Sequence, residues 1–288
     1  EFVERVKEEK KVFEVGEYLD FLNEKLSETE ARIRGEVSGV EFRIGSIYFS
    51  IKDKKQKALI NCYMREMDYK IGGVELQEGM EVILDGNSRI YEPYGKLTFQ
   101  TRTIEPVGEG ALKKAYDELK RKLEEEGLFA EERKKTLPMF PQNIGLITSK
   151  QGAAIDDFKF NLGNFGFKIK FYDSRVEGKQ AVFDLLEGIN WFNKNFSDAD
   201  MLVIIRGGGS LESLQAFNNE ALVREIANSK IPVLCGVGHE KDESLAALVA
   251  DRMVSTPSMA AAEINKSWDE AIYKIEQNEK AILNNFEK

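Results

Sequence analysis

A regular alternation of short apolar runs with helical stretches, between residues 143 and 237, constrains the fold of this chain most strongly. Strands separated by helices predict a parallel sheet covered on both faces. Ligands of such sheets bind beyond the carboxyl ends of the strands, so we expect the chemistry in the loops that follow them. The predicted strands lie near 143–148, 167–173, 200–205 and 231–237, and the predicted helices near 152–163, 178–195 and 210–229.

In the residues before this region, apolar and polar side chains follow a different repeat. From Ala31 to Pro106 apolar and polar residues alternate, as in Ile47, Phe49 and Ile51, and a stretch of helical spacing precedes them. Five short strands in about 75 residues favour a small barrel, with an OB-fold as the leading candidate. We therefore expect a lead-in at 1–12, an OB-fold domain at 13–106, a connecting helix and loop at 107–142, an α/β domain at 143–257 and the start of a helical region at 258–288.

Composition excludes several classes of protein. The 41 basic and 50 acidic residues leave a net charge of −9, so nucleic acid would have to bind through a local patch. No apolar run is long enough to span a membrane, and the N-terminus lacks the apolar stretch of a secretion signal. Cys62 and Cys235 are far apart in sequence and suggest reduced, buried thiols, as in a cytoplasmic protein.

The loop after the third predicted strand favours an anion. Three glycines let the backbone approach a phosphate closely, a following helix points N–H groups at it, and Arg206 adds a bidentate positive charge. A tight strand-to-helix turn with a solvent-facing arginine is the alternative. The loop matches neither a dinucleotide nor a nucleoside-triphosphate fingerprint. The predicted phosphate-binding residues are Arg206, Gly207, Gly208, Gly209 and Ser210.

Two further loops carry titratable groups. His239, the only histidine, follows a strand and a glycine, and Asp242 lies three residues on. A histidine there can transfer protons near neutral pH when a carboxylate orients it, although a lone histidine is as often a buried structural group. Asp157 follows the first strand beside Asp156, where paired acids also favour a helix dipole. No second histidine or cysteine cluster marks a zinc site.

The barrel predicts a surface for single strands, because aromatic faces beside cations suit stacked bases and phosphates. An ordinary half-polar surface is the alternative. The predicted outward residues are Tyr48, Lys52, Tyr63, Arg65, Lys96 and Arg102.

Taken in order, these motifs resemble the exodeoxyribonuclease VII large-subunit family over about residues 13–266. Each motif alone is weak, but the ordered set is highly specific, and it includes the runs RGGGSLE at 206–212 and VGHE at 237–240. Further matching segments are 35–38, 48–53, 91–93, 105–112, 127–129, 148–154, 216–218, 231–233 and 256–263.

The resemblance implies an OB-fold that binds single-stranded DNA, followed by a nuclease domain that cleaves it from either end into oligonucleotides. It implies catalytic roles for Asp157, Arg206, His239 and Asp242. No cofactor is strictly required; Mg²⁺ is compatible with the family, but no clear ligand cluster supports it, and an acid common in the family is Ala247 here.

The resemblance also implies a partner, because long C-terminal helices of the family engage several copies of a small subunit. Trp268, Ile272, Ile275 and Ile282 form the beginning of an apolar stripe, and we expect much of that platform to be absent from this chain. Alternatively, the helix packs back on the α/β domain. Two other functions stay open: a non-catalytic single-strand-binding assembly subunit, and a nucleotide-binding α/β enzyme.

Overall fold

The structure is a computed structural model that describes residues 11–178, 180–196, 198–207, 211–239 and 242–286. Seven residues inside these ranges are described by their backbone alone: Glu109, Ala111, Leu211, Glu212, Ser213, His239 and Asp242. The chain divides into two compact units between Ala111 and Leu112. The expected lead-in therefore falls almost wholly outside the described residues.

The first unit is built on five strands and two helices. Its alternating pattern buries one side of every strand, as with Ile47, Phe49 and Ile51, whose intervening residues face outward. In chain order the elements are α1 (Val15–Ser27), β1 (Glu30–Arg43), β2 (Ser46–Lys52), β3 (Leu59–Arg65), α2 (Glu66–Gly72), β4 (Glu81–Tyr91) and β5 (Lys96–Pro106).

These strands close into a barrel of order β1-β2-β3-β5-β4, in which β1 also pairs with β4. Closure depends on a short parallel pairing of β3 with β5, at Cys62 with Phe99 and Tyr63 with Gln100. β4 and β5, by contrast, pair along nearly their whole lengths. The prediction of an OB-fold is confirmed. The short helix α2, which the sequence analysis missed, connects β3 to β4.

The second unit is an α/β sandwich. The connecting helix is α3 (Glu109–Glu125), which spans the division between the two units. Its other elements are β6 (Asn143–Thr148), α4 (Ala153–Asn161), β7 (Lys168–Asp173), α5 (Ala181–Asn195), β8 (Met201–Ile205), α6 (Glu220–Asn228), β9 (Val233–Gly236), β10 (Gly238–His239), β11 (Asp242–Glu243), α7 (Leu245–Val249), β12 (Arg252–Val254) and α8 (Pro257–Phe286).

The main sheet is parallel, with the order β12-β9-β8-β6-β7. Along β8, Leu202 and Ile204 pack toward α5, α6 and α7, whereas Met201, Val203 and Ile205 pack toward α4 and α8. Both faces are thus covered, as predicted. Because α4 follows β6 on one face and α6 follows β8 on the other, a topological switch point lies between these neighbouring strands.

The helix predicted over 210–229 is wrong in its first half. Leu211–Asn218 is a 3-10 segment, and α6 begins only at Glu220. Asn219 explains the new start, because its side-chain oxygen accepts the N–H groups of Ala221 at 2.9 Å and Leu222 at 3.3 Å. The parallel sheet also has a fifth strand, β12, which is too short to be evident in the sequence.

Helix α8 divides the predicted apolar stripe in two. The Trp268 ring stacks on Phe165 at 5.8 Å between centroids and meets Phe140 edge-on at 5.0 Å, so this end packs on its own unit. The remaining members, Ile272, Ile275 and Ile282, are exposed. Among the described residues, no helix is apolar and long enough to cross a membrane.

Cys62 and Cys235 are free and buried, as predicted. Burial raises the pKa of each thiol to about 12, so both stay protonated at neutral pH. Neither thiol is a nucleophile or a metal ligand in this state.

Candidate active site at the switch point

Arg206 lies directly beyond the carboxyl end of β8, at the switch point of the sheet. Register pairs Ile147 of β6 with Ile204 of β8, so the loops after the two strands start side by side. The backbone N–H of Arg206 donates to Gly236 at 3.2 Å, which fixes its Cα against the end of β9. The ends of β8 and β9 therefore hold the backbone of this residue in place.

The Arg206 side chain is buried, with 1% of its surface exposed. The alternative prediction, a tight strand-to-helix turn with a solvent-facing arginine, is therefore wrong. Nη2 donates to Glu177 Oε1 at 2.8 Å and Nε to the same oxygen at 3.3 Å. Nη1 is buried and has no hydrogen-bond partner in the described part of the chain. A buried guanidinium with one edge unpaired among the described residues is suited to bind an anion.

The end of β6 has a second buried polar group without a partner, the hydroxyl of Thr148. Its backbone carbonyl accepts the N–H of Ser174 at 3.0 Å, and the N–H of Lys150 donates to Asp173 Oδ1 at 2.8 Å. The loops after β6 and β7 are thus fastened to each other. Two buried groups without partners among the described residues, Thr148 Oγ1 and Arg206 Nη1, thus lie at the same edge of the sheet.

Gly207 follows Arg206 and leaves open space above the backbone. No described atom lies within 4 Å of where a Cβ would stand, and its φ is not in the left-handed region. Neither the packing of the described atoms nor the backbone conformation therefore requires a glycine here, whereas a close approach by a ligand would. Gly208, Gly209 and Ser210, also predicted to bind phosphate, lie outside the described residues. The segment after them is the 3-10 segment, so the α-helix N-terminus expected at the loop is wrong.

His239 and Asp242 are brought together by a hairpin that the sequence analysis did not predict. Strands β10 and β11 pair so that His239 is directly opposite Asp242. At the base of this hairpin, Ser244 Oγ donates to the carbonyl of Val237 at 3.2 Å and accepts the N–H of Ala247 at 3.2 Å. The backbone therefore holds the two predicted residues at one place beyond β9.

A hydrogen bond ties the loop after β8 to the loop after β9. Asn218, at the end of the 3-10 segment, accepts the backbone N–H of Leu245 through Oδ1 at 2.9 Å. Tyr116 donates its hydroxyl to the carbonyl of Glu243 at 2.9 Å, which fixes the hairpin from α3. Arg206 and the histidine hairpin thus belong to one connected framework.

Asp157 stands apart from this framework. It lies in α4, one residue beyond the first turn that holds Asp156, and its side chain is exposed. No described hydrogen bond or ion pair joins it to Arg206. Its catalytic role stays a prediction. Among the residues whose side chains are described, no three His, Cys, Asp or Glu residues are grouped to hold a metal ion.

The barrel presents its predicted aromatic pair on β2 and β3. Tyr48 lies opposite Tyr63 in register, and the two rings meet edge-on at 5.4 Å between centroids. The Arg43 guanidinium lies 4.8 Å from the centroid of the Tyr48 ring. Tyr48 is 37% exposed, so one aromatic surface with a cation above it faces solvent.

Carboxylates neutralise three of the four predicted cations on the barrel. Lys52 pairs with Glu36 at 2.8 Å, Arg65 with Asp68 at 2.7 Å and Arg102 with Glu30 at 2.7 Å. Lys96 is exposed and forms no ion pair in the described part of the chain. All six predicted residues point outward or lie partly exposed, but the surface is less basic than the sequence suggested.

Three residues of interest, one in the α/β unit and two in the barrel, were missed from the sequence. Glu177, the partner of Arg206, sits in an irregular loop that no motif marks. Tyr91 and Tyr94 lie 5.8 Å apart at the β4–β5 turn, with 57% and 75% of their surfaces exposed. The signal for these tyrosines was present, because OB-folds use this turn for ligands.

Comparison with known proteins decides the family. A model described as "Exonuclease VII, large subunit" matches residues 128–288, more than half of the chain. The chain belongs to the exonuclease VII large-subunit family. A model described as an OB-fold nucleic acid binding domain matches residues 11–105, which contain the barrel.

Relatives within this exonuclease VII family are similar over most of the chain. Exodeoxyribonuclease 7 large subunit of Clostridium tetani is 40% identical over 266 residues, covering 90% of this chain and 66% of that protein. The one from Clostridium novyi is 45% identical over 239 residues, covering 81% of this chain and 58% of that protein. The chain thus spans less than two thirds of the length of these relatives.

Proposed function

We propose that this chain cleaves phosphodiester bonds of single-stranded DNA, working inward from either end and releasing oligonucleotides. One observation carries the proposal: the buried Arg206 guanidinium keeps Nη1 free at the switch point, beside the open backbone of Gly207. A phosphate is the anion that such a site fits, and membership of the exonuclease VII large-subunit family supports DNA as its source.

In this proposal the loops divide the chemistry among them. Arg206 and the N–H groups of residues 207–209, with Ser210, hold the scissile phosphate and stabilise its developing charge. His239 acts as general base or acid, and Asp242 orients the His239 side chain. The pairing of these two residues across the β10–β11 hairpin supports this division of roles. Asp157 positions water, the sugar end or a transient cation. Cleavage proceeds without a strict need for a divalent metal.

The barrel supplies the affinity for single strands. Tyr48 and Tyr63 offer rings for unpaired bases, and Lys52, Arg65, Lys96 and Arg102 lie around them for the phosphates. Duplex DNA keeps its bases stacked, so it cannot use the rings. We also propose that the exposed part of α8 forms the beginning of the surface on which several copies of a small subunit bind. The assembly works in the cytoplasm, where reduced thiols such as Cys62 persist.

The test uses end-labelled single-stranded and duplex DNA with the chain and purified small subunit, in EDTA and in magnesium. Cleavage of the single strand alone, in both buffers, is the expected result. Arg206→Ala and Asp242→Asn should each lower cleavage by on the order of 100-fold or more while the affinity for single strands stays nearly constant. DNA binding without cleavage under every condition would instead indicate a non-catalytic assembly subunit.

A further inference from the structure

Glu177 holds the Arg206 guanidinium by one edge only. Its Oε1 accepts both Nη2 and Nε, at 2.8 and 3.3 Å, while Nη1 on the other edge is buried without a partner. Bonds from two nitrogens to one oxygen fix the plane and direction of the guanidinium. The free nitrogen therefore has a set orientation before any ligand arrives.

The two partners differ in their contact with water. Arg206 is 1% exposed, whereas the side chain of Glu177 is 59% exposed. A guanidinium removed from water requires a counter-charge, and the solvent-exposed Glu177 supplies it. The same carboxylate cancels much of the positive charge that would attract a phosphate. The orientation that Glu177 gives to Arg206 thus favours phosphate binding, whereas the negative charge of Glu177 opposes it.

We propose that Glu177 is a positioning residue of the phosphate site, with two separable effects. Its oxygen orients Arg206 so that Nη1 faces the scissile phosphate, and its charge keeps the affinity of the site for free phosphate low. Low affinity favours the release of products that end in a phosphate. This inference rests on the proposed function, because it takes Arg206 as the group that contacts the phosphate.

Two substitutions separate the effects. Glu177→Gln keeps an oxygen acceptor at the same position and removes the charge, whereas Glu177→Ala removes both. We expect Glu177→Ala to lower kcat on single-stranded DNA about tenfold or more, and Glu177→Gln to keep kcat within about threefold of the parent. Glu177→Gln should also bind inorganic phosphate at least about threefold more tightly, since a nearby negative charge is gone.

The kinetics of DNA cleavage by the assembled enzyme give kcat. The affinity for phosphate is obtained from thermal unfolding of the chain in phosphate, compared with unfolding in chloride at equal ionic strength. Phosphate should raise Tm more for Glu177→Gln than for the parent or for Glu177→Ala. Asp184→Ala is the matched control, because it breaks the 2.6 Å ion pair with Arg175 that fastens the same loop to α5. It should change neither kcat nor the phosphate shift of Tm.

The outcomes separate the inference from the proposed function. If Arg206→Ala cleaves DNA as well as the parent does, the proposed function fails. If Arg206→Ala is inactive but Glu177→Ala keeps the parent kcat, the inference is overturned. It is also overturned if Glu177→Gln loses as much kcat as Glu177→Ala, or gains no affinity for phosphate, or if Asp184→Ala reproduces the loss.

Discussion

At the residue scale, the two units present different kinds of group: the α/β unit has buried polar atoms that lack partners among the described residues, and the barrel has aromatic rings that stay exposed to water. Arg206 Nη1 and Thr148 Oγ1 are buried without partners at the ends of adjacent strands. A buried donor without a partner costs about 1–3 kcal/mol, which a ligand recovers when it supplies the missing acceptor. The aromatic rings on the barrel, by contrast, gain from stacking while they remain accessible.

Tyr63→Ala tests the role of the aromatic pair. Loss of one stacking ring should weaken binding of a single-stranded oligonucleotide by about 1–3 kcal/mol, measured by fluorescence anisotropy at fixed salt. Tyr273→Ala removes another exposed tyrosine, on α8, and should leave the affinity unchanged. Equal losses in the two variants, or none in Tyr63→Ala, would remove the β2–β3 face from the binding surface.

Glu81 should make the stability of the barrel depend on pH. Hydrogen bonds from Arg34 and Lys54 lower the pKa of its carboxyl from 4.5 to about 2. Because the pKa is lower in the folded state, the stabilisation is complete above about pH 4.5 and is lost as the pH falls toward 2.

Urea unfolding at pH 6 and at pH 3 measures this effect. Glu81→Gln should be less stable than the parent at pH 6, and the difference should shrink at pH 3. Glu78→Gln, at an exposed glutamate with no described ion pair, is the control. A difference between parent and Glu81→Gln that stays constant with pH would contradict the assignment.

At the scale of elements, the sequence predicted most of the strands because each has a strong period. The six residues of β6 match the expected range, and the alternation of Ile47, Phe49 and Ile51 placed the barrel core correctly. What it missed depends on contacts distant in sequence. β12 has three residues and joins the sheet only by pairing with β9, and Glu177 meets Arg206 from a loop 29 residues away.

The loop after β8 offers a test at this scale. Gly207→Ala meets no described atom within 4 Å, so the free energy of unfolding should change by less than about 0.5 kcal/mol. Nuclease activity should nevertheless fall about tenfold or more if a phosphate lies against this backbone.

Gly16→Ala, in helix α1 and equally open, is the control for that substitution. It should leave activity unchanged. A Gly207→Ala variant with full activity would show that no ligand approaches the backbone there.

At the scale of the whole molecule, α8 extends beyond the surface that it packs on. Thirty residues of helix extend about 45 Å, and within the described part only residues near its start, such as Ala260 and Ile264, are buried. The exposed stripe on the remainder is the surface on which we propose that the small subunit binds.

Ile275→Glu combined with Ile282→Glu tests this surface. Both side chains are exposed, so folding should be unaffected, while binding of the small subunit should weaken at least about a hundredfold, since each buried isoleucine contributes about 1.5–3 kcal/mol. Light scattering of the mixture measures assembly. Glu279→Gln on the same helix should assemble normally, and normal assembly of the double variant would exclude the stripe as the contact.

The barrel closes through one short strand pairing, that of β3 with β5. Its described register joins only Cys62 with Phe99 and Tyr63 with Gln100, so this seam should open more often than the long β4–β5 ladder. Amide protons along the seam will then exchange with solvent faster than those of β4. Tyr63 belongs to this seam. A single strand of DNA that stacks on its ring should therefore slow this exchange and hold β3 and β5 together.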